Sequence, residues 1–204
     1  MKTFDFAQGS DDWWRVRRGV PTSSEFSNIM TPKKCELAAA AKTYINKLIG
    51  DRYDPHYGQV DEYASLAMRN GIIAEPQART WYEITHGVDV QQVGFCLTDD
   101  GRIGCSPDGL VGEDGGCELK RPEAKTHIGY LLAGEVVPDD YKCQVHGSLI
   151  VTGRQWWDFI SYGQPRSLVV RVYPDEYTEK LRKCLDQFLE MYAEALGRIE
   201  KMAA

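Results

Sequence analysis

Between Val88 and Lys120 the chain stops reading as helix. Short apolar runs (Val88–Leu97, Arg102–Ser106, Leu110–Val111, Cys117–Lys120) alternate with Thr98-Asp99-Asp100-Gly101, Pro107-Asp108-Gly109 and Gly112-Glu113-Asp114-Gly115-Gly116. Asp-Gly and Gly-Gly pairs tolerate the positive φ that tight hairpins demand, so this segment is expected to fold as an antiparallel meander. A meander of such short strands cannot bury itself, and it needs helices against its faces.

The flanks supply those helices. Thr22-Ser23-Ser24-Glu25 has the form of a capping box and predicts a short helix to about Met30, stopped by Thr31-Pro32. Glu36–Ile49 is rich in helix formers, with apolar residues at helical spacing. A longer helix is expected from about Asp61 to Thr85, ended by His86-Gly87. Pro76 either bends it or opens a fresh helix. Beyond the hairpins, helices are predicted over Ala124–Leu132 and Tyr141–Thr152. Strands follow at Gln155–Tyr162 and Ser167–Tyr173, and a closing helix runs from Pro174-Asp175 to about Lys201. With no repeat or linker, the expectation is an α/β fold, one domain over residues 1–204, with a mixed central β-sheet flanked by helices.

Composition excludes several classes. Six cysteines occur without a Cys-x-x-Cys pair, which argues against zinc ribbons and iron–sulfur sites. No run approaches the roughly 18 apolar residues of a membrane span, and the first residues lack the apolar core of a signal peptide, so a cytoplasmic protein is expected. The net charge of −6 weighs against a nucleic-acid partner only on average. Phosphate is met by a local groove, and a bound divalent cation reverses the sign of an acidic site. Basic residues do cluster early, at Arg15, Arg17 and Arg18 and again at Lys33 and Lys34.

The acids of the hairpin region carry the chemistry. Asp108 and Glu118 stand ten residues apart across a tight turn and can converge on one ion, with the carbonyl of Leu119 as a further ligand. Two carboxylates and a carbonyl suit Mg²⁺, which prefers oxygen and keeps several waters. Lys120, two residues after Glu118, shares its strand face. It can orient a water or balance charge on a phosphate, and burial is expected to lower its pKa toward that of a proton acceptor. Glu75 is the best additional acid from the preceding helix, with Arg79 and Glu83 at four-residue spacing on one face. Hydrolysis of a phosphodiester needs an activated water, neutralised charge at phosphorus and help for the leaving oxygen, and metal held this way supplies all three. A solvated Asp-Gly turn followed by an exposed Glu-x-Lys edge is the alternative reading.

The wider sequence resembles the phage lambda exonuclease family, alkaline exonucleases of phage recombination with a restriction-endonuclease-like core. The likeness rests on Trp13-x-x-Val16-Arg17-x-Gly19-Val20-x-Thr22-x-Ser24-Glu25, on Gly71-x-x-x-Glu75-x-x-Ala78-Arg79-Thr80, and on Cys105-Ser106-Pro107-Asp108-Gly109-Leu110. Glu118-Leu119-Lys120-x-Pro122 and Gln144-Val145 complete it, all in the family's order along most of the chain. The resemblance implies a 5′-to-3′ exonuclease acting on one strand of linear double-stranded DNA and leaving a 3′ single strand for recombination by annealing. It implies Asp108, Glu118 and the Leu119 carbonyl as ligands of Mg²⁺, two ions being expected and Mn²⁺ a plausible substitute. Lys120 would be the catalytic lysine and Glu75 the helix acid. Arg17, Ser24, Ser106 and Gln144 match positions that bind the 5′-phosphate. It further implies a ring homo-oligomer, a trimer by expectation, and a single-strand-annealing recombinase as partner. The chain departs from the family in a shorter N-terminus, a shorter Asp51–Gly58 loop and His146 where a second glutamine is expected, which touches the grip on duplex.

Alternatives stay open at this point. An endonuclease or junction resolvase would share the core but should carry a base-reading element, and none stands out. A catalytically inactive DNA-binding module would usually have lost a metal ligand. Trp13 and Trp14 either stack on a base or anchor the N-terminus to the core, and the Asp51–Gly58 loop is either a substrate-side lid or an ordinary surface loop.

Overall fold

The two longest strands lie side by side and parallel, β6 (Gly115–Lys120) and β7 (Trp156–Ser161), here numbered with every strand in chain order, and their six residues pair from Gly115↔Trp156 to Lys120↔Ser161. Parallel neighbours require a crossover on one face of the sheet. Here it is two helices, α4 (Ala124–Ala133) and α5 (Asp139–Thr152), numbered likewise. The computed structural model describes residues 1–54 and 66–203.

The chain begins with β1 (Lys2–Phe4), α1 (Asp11–Arg17), a 3-10 helix (Ser23–Asn28), α2 (Ala41–Tyr53) and α3 (Leu66–His86). Four short strands precede β6: β2 (Val90–Gln91), β3 (Phe95–Leu97), β4 (Gly104–Cys105) and β5 (Gly109–Val111). After β7 come β8 (Leu168–Val172) and α6 (Glu176–Ala203). The main sheet has the order β2-β5-β6-β7-β8, antiparallel except between β6 and β7. It is the mixed sheet flanked by helices that the sequence pattern predicts.

The expected single meander is divided. The β3–β4 hairpin forms a second sheet with β1, in the order β1-β3-β4. The chain leaves it at Cys105 and enters the main sheet at Gly109, so Ser106-Pro107-Asp108 crosses between sheets. Pro107 has no N–H to give a ladder, so a crossing is where it costs least.

Side-chain alternation along β7 sends Trp157 and Phe159 to one side of the sheet and Ile160 to the other. On the first side they meet Val145 and Leu149 of α5 and Leu181, Leu185 and Phe188 of α6. On the second, Ile160, Cys117 and Leu119 meet Ala78 and Tyr82 of α3. Each fully buried Leu or Phe contributes roughly 1.5–3 kcal/mol, enough to fix which face each helix covers. Glu118, paired in register with Phe159, and Lys120, paired with Ser161, thus face α4 and α5.

Three local expectations differ from the fold. No side-chain bond from Thr22 caps the helix after it, and that helix is a 3-10 turn. Glu25 instead accepts from Asn28 at 2.6 Å and pairs with Lys47 at 3.5 Å. The helix expected from Glu36 starts at Ala41, because Leu37 bridges Met30 and the Ala38 amide donates to the Ile29 carbonyl at 2.7 Å. Long-range pairing overrides helix propensity there. Finally, α3 runs unbroken through Pro76, its packing of Ala78 and Tyr82 outweighing the lost hydrogen bond. Of the expected Asp51–Gly58 loop, Asp51–Tyr53 instead complete α2, while residues 55–58 and the expected start of this helix, Asp61 to Ser65, lie outside the described residues.

Candidate active site

The crossing Ser106-Pro107-Asp108 joins two polar clusters that an extended chain holds within about 7 Å of each other. The first forms around Ser106. Its Oγ accepts from the Trp13 indole Nε1 at 3.0 Å and from Arg17 Nη1 at 2.6 Å. A serine hydroxyl has two acceptor lone pairs and one proton. With both lone pairs taken, that proton is left to donate to an anion.

Arg17 is held from two directions. Its guanidinium lies 4.1 Å from the centre of the Trp13 ring and 5.5 Å from that of Phe95. Nη2 reaches the Thr22 hydroxyl at 3.4 Å, and that hydroxyl stands 3.4 Å from Ser24 Oγ. Burial pulls the Arg17 pKa down to about 10, which leaves it charged at neutral pH. The nearby Asp12 carboxylate pairs with Arg15 and not with Arg17. Trp13 is buried and also donates to the Gly94 carbonyl at 3.0 Å, so it anchors the N-terminal segment rather than offering a free stacking face. Arg17, Ser24 and Ser106 are thus brought together, with Thr22 between them.

The second cluster lies where β6 outruns its neighbour. Pairing of β5 with β6 ends at Gly109↔Cys117, so Glu118, Leu119 and Lys120 extend past it. The Leu119 amide donates to Asp108 Oδ2 at 2.6 Å. In an extended strand the N–H and C=O of one residue point to the same edge, so the Leu119 carbonyl is presented on the side of Asp108. Glu118 is almost fully buried, 1% exposed. Its Oε1 accepts from Lys120 Nζ at 2.5 Å and from Gln144 Nε2 at 2.6 Å. Its Oε2 is buried with no hydrogen-bond partner.

Electrostatics in this cluster run against the lone carboxylates. Burial pushes Glu118 up to about 7, Asp108 adding to the rise and Lys120 opposing it. Burial likewise raises Asp108, against the pull of Lys120, the Leu119 amide and Arg79. Glu75, at the same end of the sheet, is raised by burial and then by the charge of Asp108, while Arg79 at 2.5 Å holds it down. Lys120 corrects the expected direction. Burial alone would lower it, but the carboxylates of Glu118 and Asp108 outweigh burial and hold it above the ordinary lysine value. It is an ammonium in this arrangement, resting 5.1 Å from the centre of the Tyr141 ring.

These residues fit a hard divalent cation. The buried Glu118 Oε2 is an oxygen with no hydrogen-bond donor, and the carboxylates share one end of the sheet. Among the described residues no three His, Cys, Asp or Glu side chains form a closed cage. Two carboxylates and a main-chain carbonyl are nonetheless donors of the kind that Mg²⁺ takes, with waters completing its shell.

Gln144 falls on Glu118 and not on the Arg17 cluster. The helix that carries it nonetheless connects the two. One turn further along α5, a Cβ on Gly147 would come within 2.5 Å of Phe26, and Ser148 Oγ donates to Ser23 Oγ at 3.2 Å. The 3-10 helix bearing Ser24 is seated on α5 by that close approach. Sequence reasoning gave Arg79 no role at the site and left Trp13 undecided. The four-residue spacing from Glu75 was the available signal for Arg79, whereas the Trp13 bond to Ser106 spans 93 positions and left none.

Solved structures share this architecture. An alkaline exonuclease (LHK-Exo) from Laribacter hongkongensis matches with a TM-score of 0.81 at 29% identity, over 95% of this chain and 98% of that one. LHK-Exo in complex with dAMP matches at 0.82, with the same identity and coverage of 95% and 98%. A phage related exonuclease from Haemophilus somnus 129PT has the fold at a TM-score of 0.63 and 13% identity, over 88% of this chain and 96% of that one. No curated protein matches the chain. The resemblance carried by the motifs from Trp13 to Gln144 is borne out, for residues 12–155, spanning both polar clusters, match the YqaJ-like viral recombinase domain, and the chain belongs to that family.

Proposed function

We propose that the protein is a metal-dependent 5′-to-3′ exonuclease that digests one strand of linear double-stranded DNA and leaves a 3′ single strand for recombination by annealing. The observation that carries this reading is Ser106. Its oxygen accepts from both Trp13 and Arg17, which leaves the hydroxyl proton to donate, two residues before Asp108. An anion-binding pocket and a carboxylate cluster sharing one short crossing form a ruler for a strand's end.

Arg17, Ser106 and Ser24 receive the terminal 5′-phosphate, the guanidinium supplying charge and the hydroxyls direction. That anchorage fixes which internucleotide bond lies over Asp108 and Glu118, and hence the direction of digestion. Asp108, Glu118 and the Leu119 carbonyl would hold Mg²⁺, with Glu75 as the acid for a second ion and Mn²⁺ a workable substitute. When bound, the metal supplies an activated water and neutralises charge at phosphorus and the leaving oxygen. Lys120 is kept in place by Glu118 and offers its ammonium to the developing negative charge. Gln144 donates to the same Glu118 oxygen as Lys120, and its helix α5 also seats the 3-10 helix of the 5′ pocket.

Processivity in an acidic protein is accounted for by a ring of identical subunits, a trimer by expectation, in which DNA meets only the lining. A single-strand-annealing recombinase would take up the exposed 3′ strand. Among the described residues no helix is long and apolar enough to cross a membrane.

The deciding assay uses end-labelled duplex with a 5′-phosphate on one strand against the same duplex with a 5′-hydroxyl, in Mg²⁺. Preferential digestion of the phosphorylated strand is expected. Equal digestion of both, or cutting of closed circles, would overturn end recognition.

A further inference from the structure

One cleft lies beyond the residues used so far. It encloses about 300 Å³ between α3 and the turn after β7, and its lining includes Gln77, Trp81, Arg121, Tyr162 and Arg166. It adjoins the carboxylate cluster through two elements at once. Arg121 directly follows Lys120, and Trp81 lies six residues beyond Glu75 on α3.

The contents of the cleft are two cations and an aromatic pair. The Trp81 and Tyr162 rings are tilted with centres 5.8 Å apart. Among the described residues the Arg121 guanidinium donates to the Pro122 carbonyl at 3.1 Å, and Arg166 is engaged through its main-chain carbonyl. Both charges are therefore free of carboxylates there. Aromatic faces that take a base beside guanidinium groups that take a phosphate make a site for a nucleotide, read without sequence preference.

The wall of the cleft is set in advance. His127, fully buried, bonds Ser161 Oγ through Nδ1 at 2.7 Å and meets the Arg166 carbonyl through Nε2 at 2.9 Å. A Cβ on Gly163 would come within 2.7 Å of the same imidazole. The turn carrying Tyr162 and Arg166 is thus clamped against α4, and binding there needs little reordering.

Order across the sheet gives the cleft its place in the reaction. Across the sheet, Ser106 and Asp108 precede β5 on one side of Lys120, and the turn carrying Tyr162 and Arg166 follows β7 on the other. We propose that the cleft binds the nucleotide on the 3′ side of the bond being cut, stacking its base on Trp81 and Tyr162 and holding its phosphate with Arg121 and Arg166. This rests on the exonuclease reading for its polarity.

The test compares removal of the first nucleotide from 5′-phosphorylated duplex with and without an abasic site at the second nucleotide, in Mg²⁺. Losing the base should lower kcat/KM about tenfold, the stacking of one base. Trp81→Leu should show the same fall on intact duplex and no further fall on the abasic one. In Arg121→Gln/Arg166→Gln, two exposed positions chosen to spare the fold, KM should rise about tenfold through lost phosphate contacts. An undiminished abasic penalty in Trp81→Leu, or an unchanged KM in the arginine variant, overturns the assignment. If the unsubstituted protein cuts no duplex, the exonuclease reading has failed separately, and binding of a fluorescein-labelled 5′-phosphorylated trinucleotide in EDTA decides the cleft. Weakening of about tenfold in the arginine variant sustains it, and equal binding refutes it.

Discussion

Ser106 stands two residues before Asp108 and twelve before Glu118, yet the cluster around Ser106 and the cluster around Glu118 are built with opposite deficits. The first has a buried guanidinium and three hydroxyls joined by hydrogen bonds, with no carboxylate among them in the described residues. It lacks an anion. The second has carboxylates held above their ordinary range by burial, and one oxygen with no partner at all. It lacks a cation, even with Lys120 in place. A phosphodiester chain whose end is anionic and whose scissile group is served by metal satisfies both deficits together, and the short crossing between them sets the distance.

The strongest way to break this comparison is at the second cluster. Asp108→Ala and Lys120→Ala should each lower Mg²⁺-dependent digestion of linear duplex about a thousandfold, the upper range for loss of one preorganised charge-stabilising group. Circular dichroism should stay that of the folded protein. Full activity in either variant would sink the proposed assignment.

The first cluster should respond differently. Arg17→Ala is expected to lower kcat/KM on 5′-phosphorylated ends about a hundredfold, the 1.5–3 kcal/mol of a charged hydrogen bond. Ends bearing a 5′-hydroxyl should hardly change. An equal loss on both ends would mean that Arg17 merely holds the fold through Trp13 and Ser106.

A third measurement sharpens the contrast without any substrate. With Glu118 raised to about 7 by burial, and Asp108 also raised, the folded protein binds more protons than the unfolded chain in mildly acidic solution. The linkage sign follows: metal-free stability is greatest below the ordinary glutamate range and is lost as pH rises to about 7. Thermal unfolding in chelator should give a lower Tm at about pH 7.5 than at about pH 5, and Glu118→Gln should reduce that difference. The same slope in both proteins would place the titration elsewhere. The smallest effect is expected of Ser24→Ala. That hydroxyl is exposed, and its loss should cost threefold to tenfold on 5′-phosphorylated ends, about 0.5–1.5 kcal/mol.

Legibility of the site varied with the range of the interaction. Asp108, Glu118 and Lys120 could be read together because a hairpin brings residues ten apart into contact and a strand puts alternate residues on one face. Arg17, Ser24 and Ser106 were reachable only through family resemblance, since nothing local says that Ser106 meets Arg17, 89 positions away. Gln144 was assigned to the phosphate, whereas its amide lies on Glu118. The Thr22 capping box failed because its hydroxyl is turned to Arg17 and Ser24, and its amide donates instead to the Tyr44 hydroxyl at 3.1 Å. A signal that looked like local helix chemistry had been diverted to a site.

By itself, the amino-acid sequence determined the strand and helix types, the hairpin turns and the acid-x-lysine face, because turn chemistry and side-chain period act within about ten residues. Only the tertiary structure decided that the meander splits at Pro107, that Leu37 pairs with Met30 instead of starting a helix, and that Lys120 is raised rather than lowered. Each of these turns on which groups are buried beside which. For Lys120, burial and two carboxylates pull in opposite directions, and the balance is set by how closely Glu118 on its own strand and Asp108 from the crossing approach it.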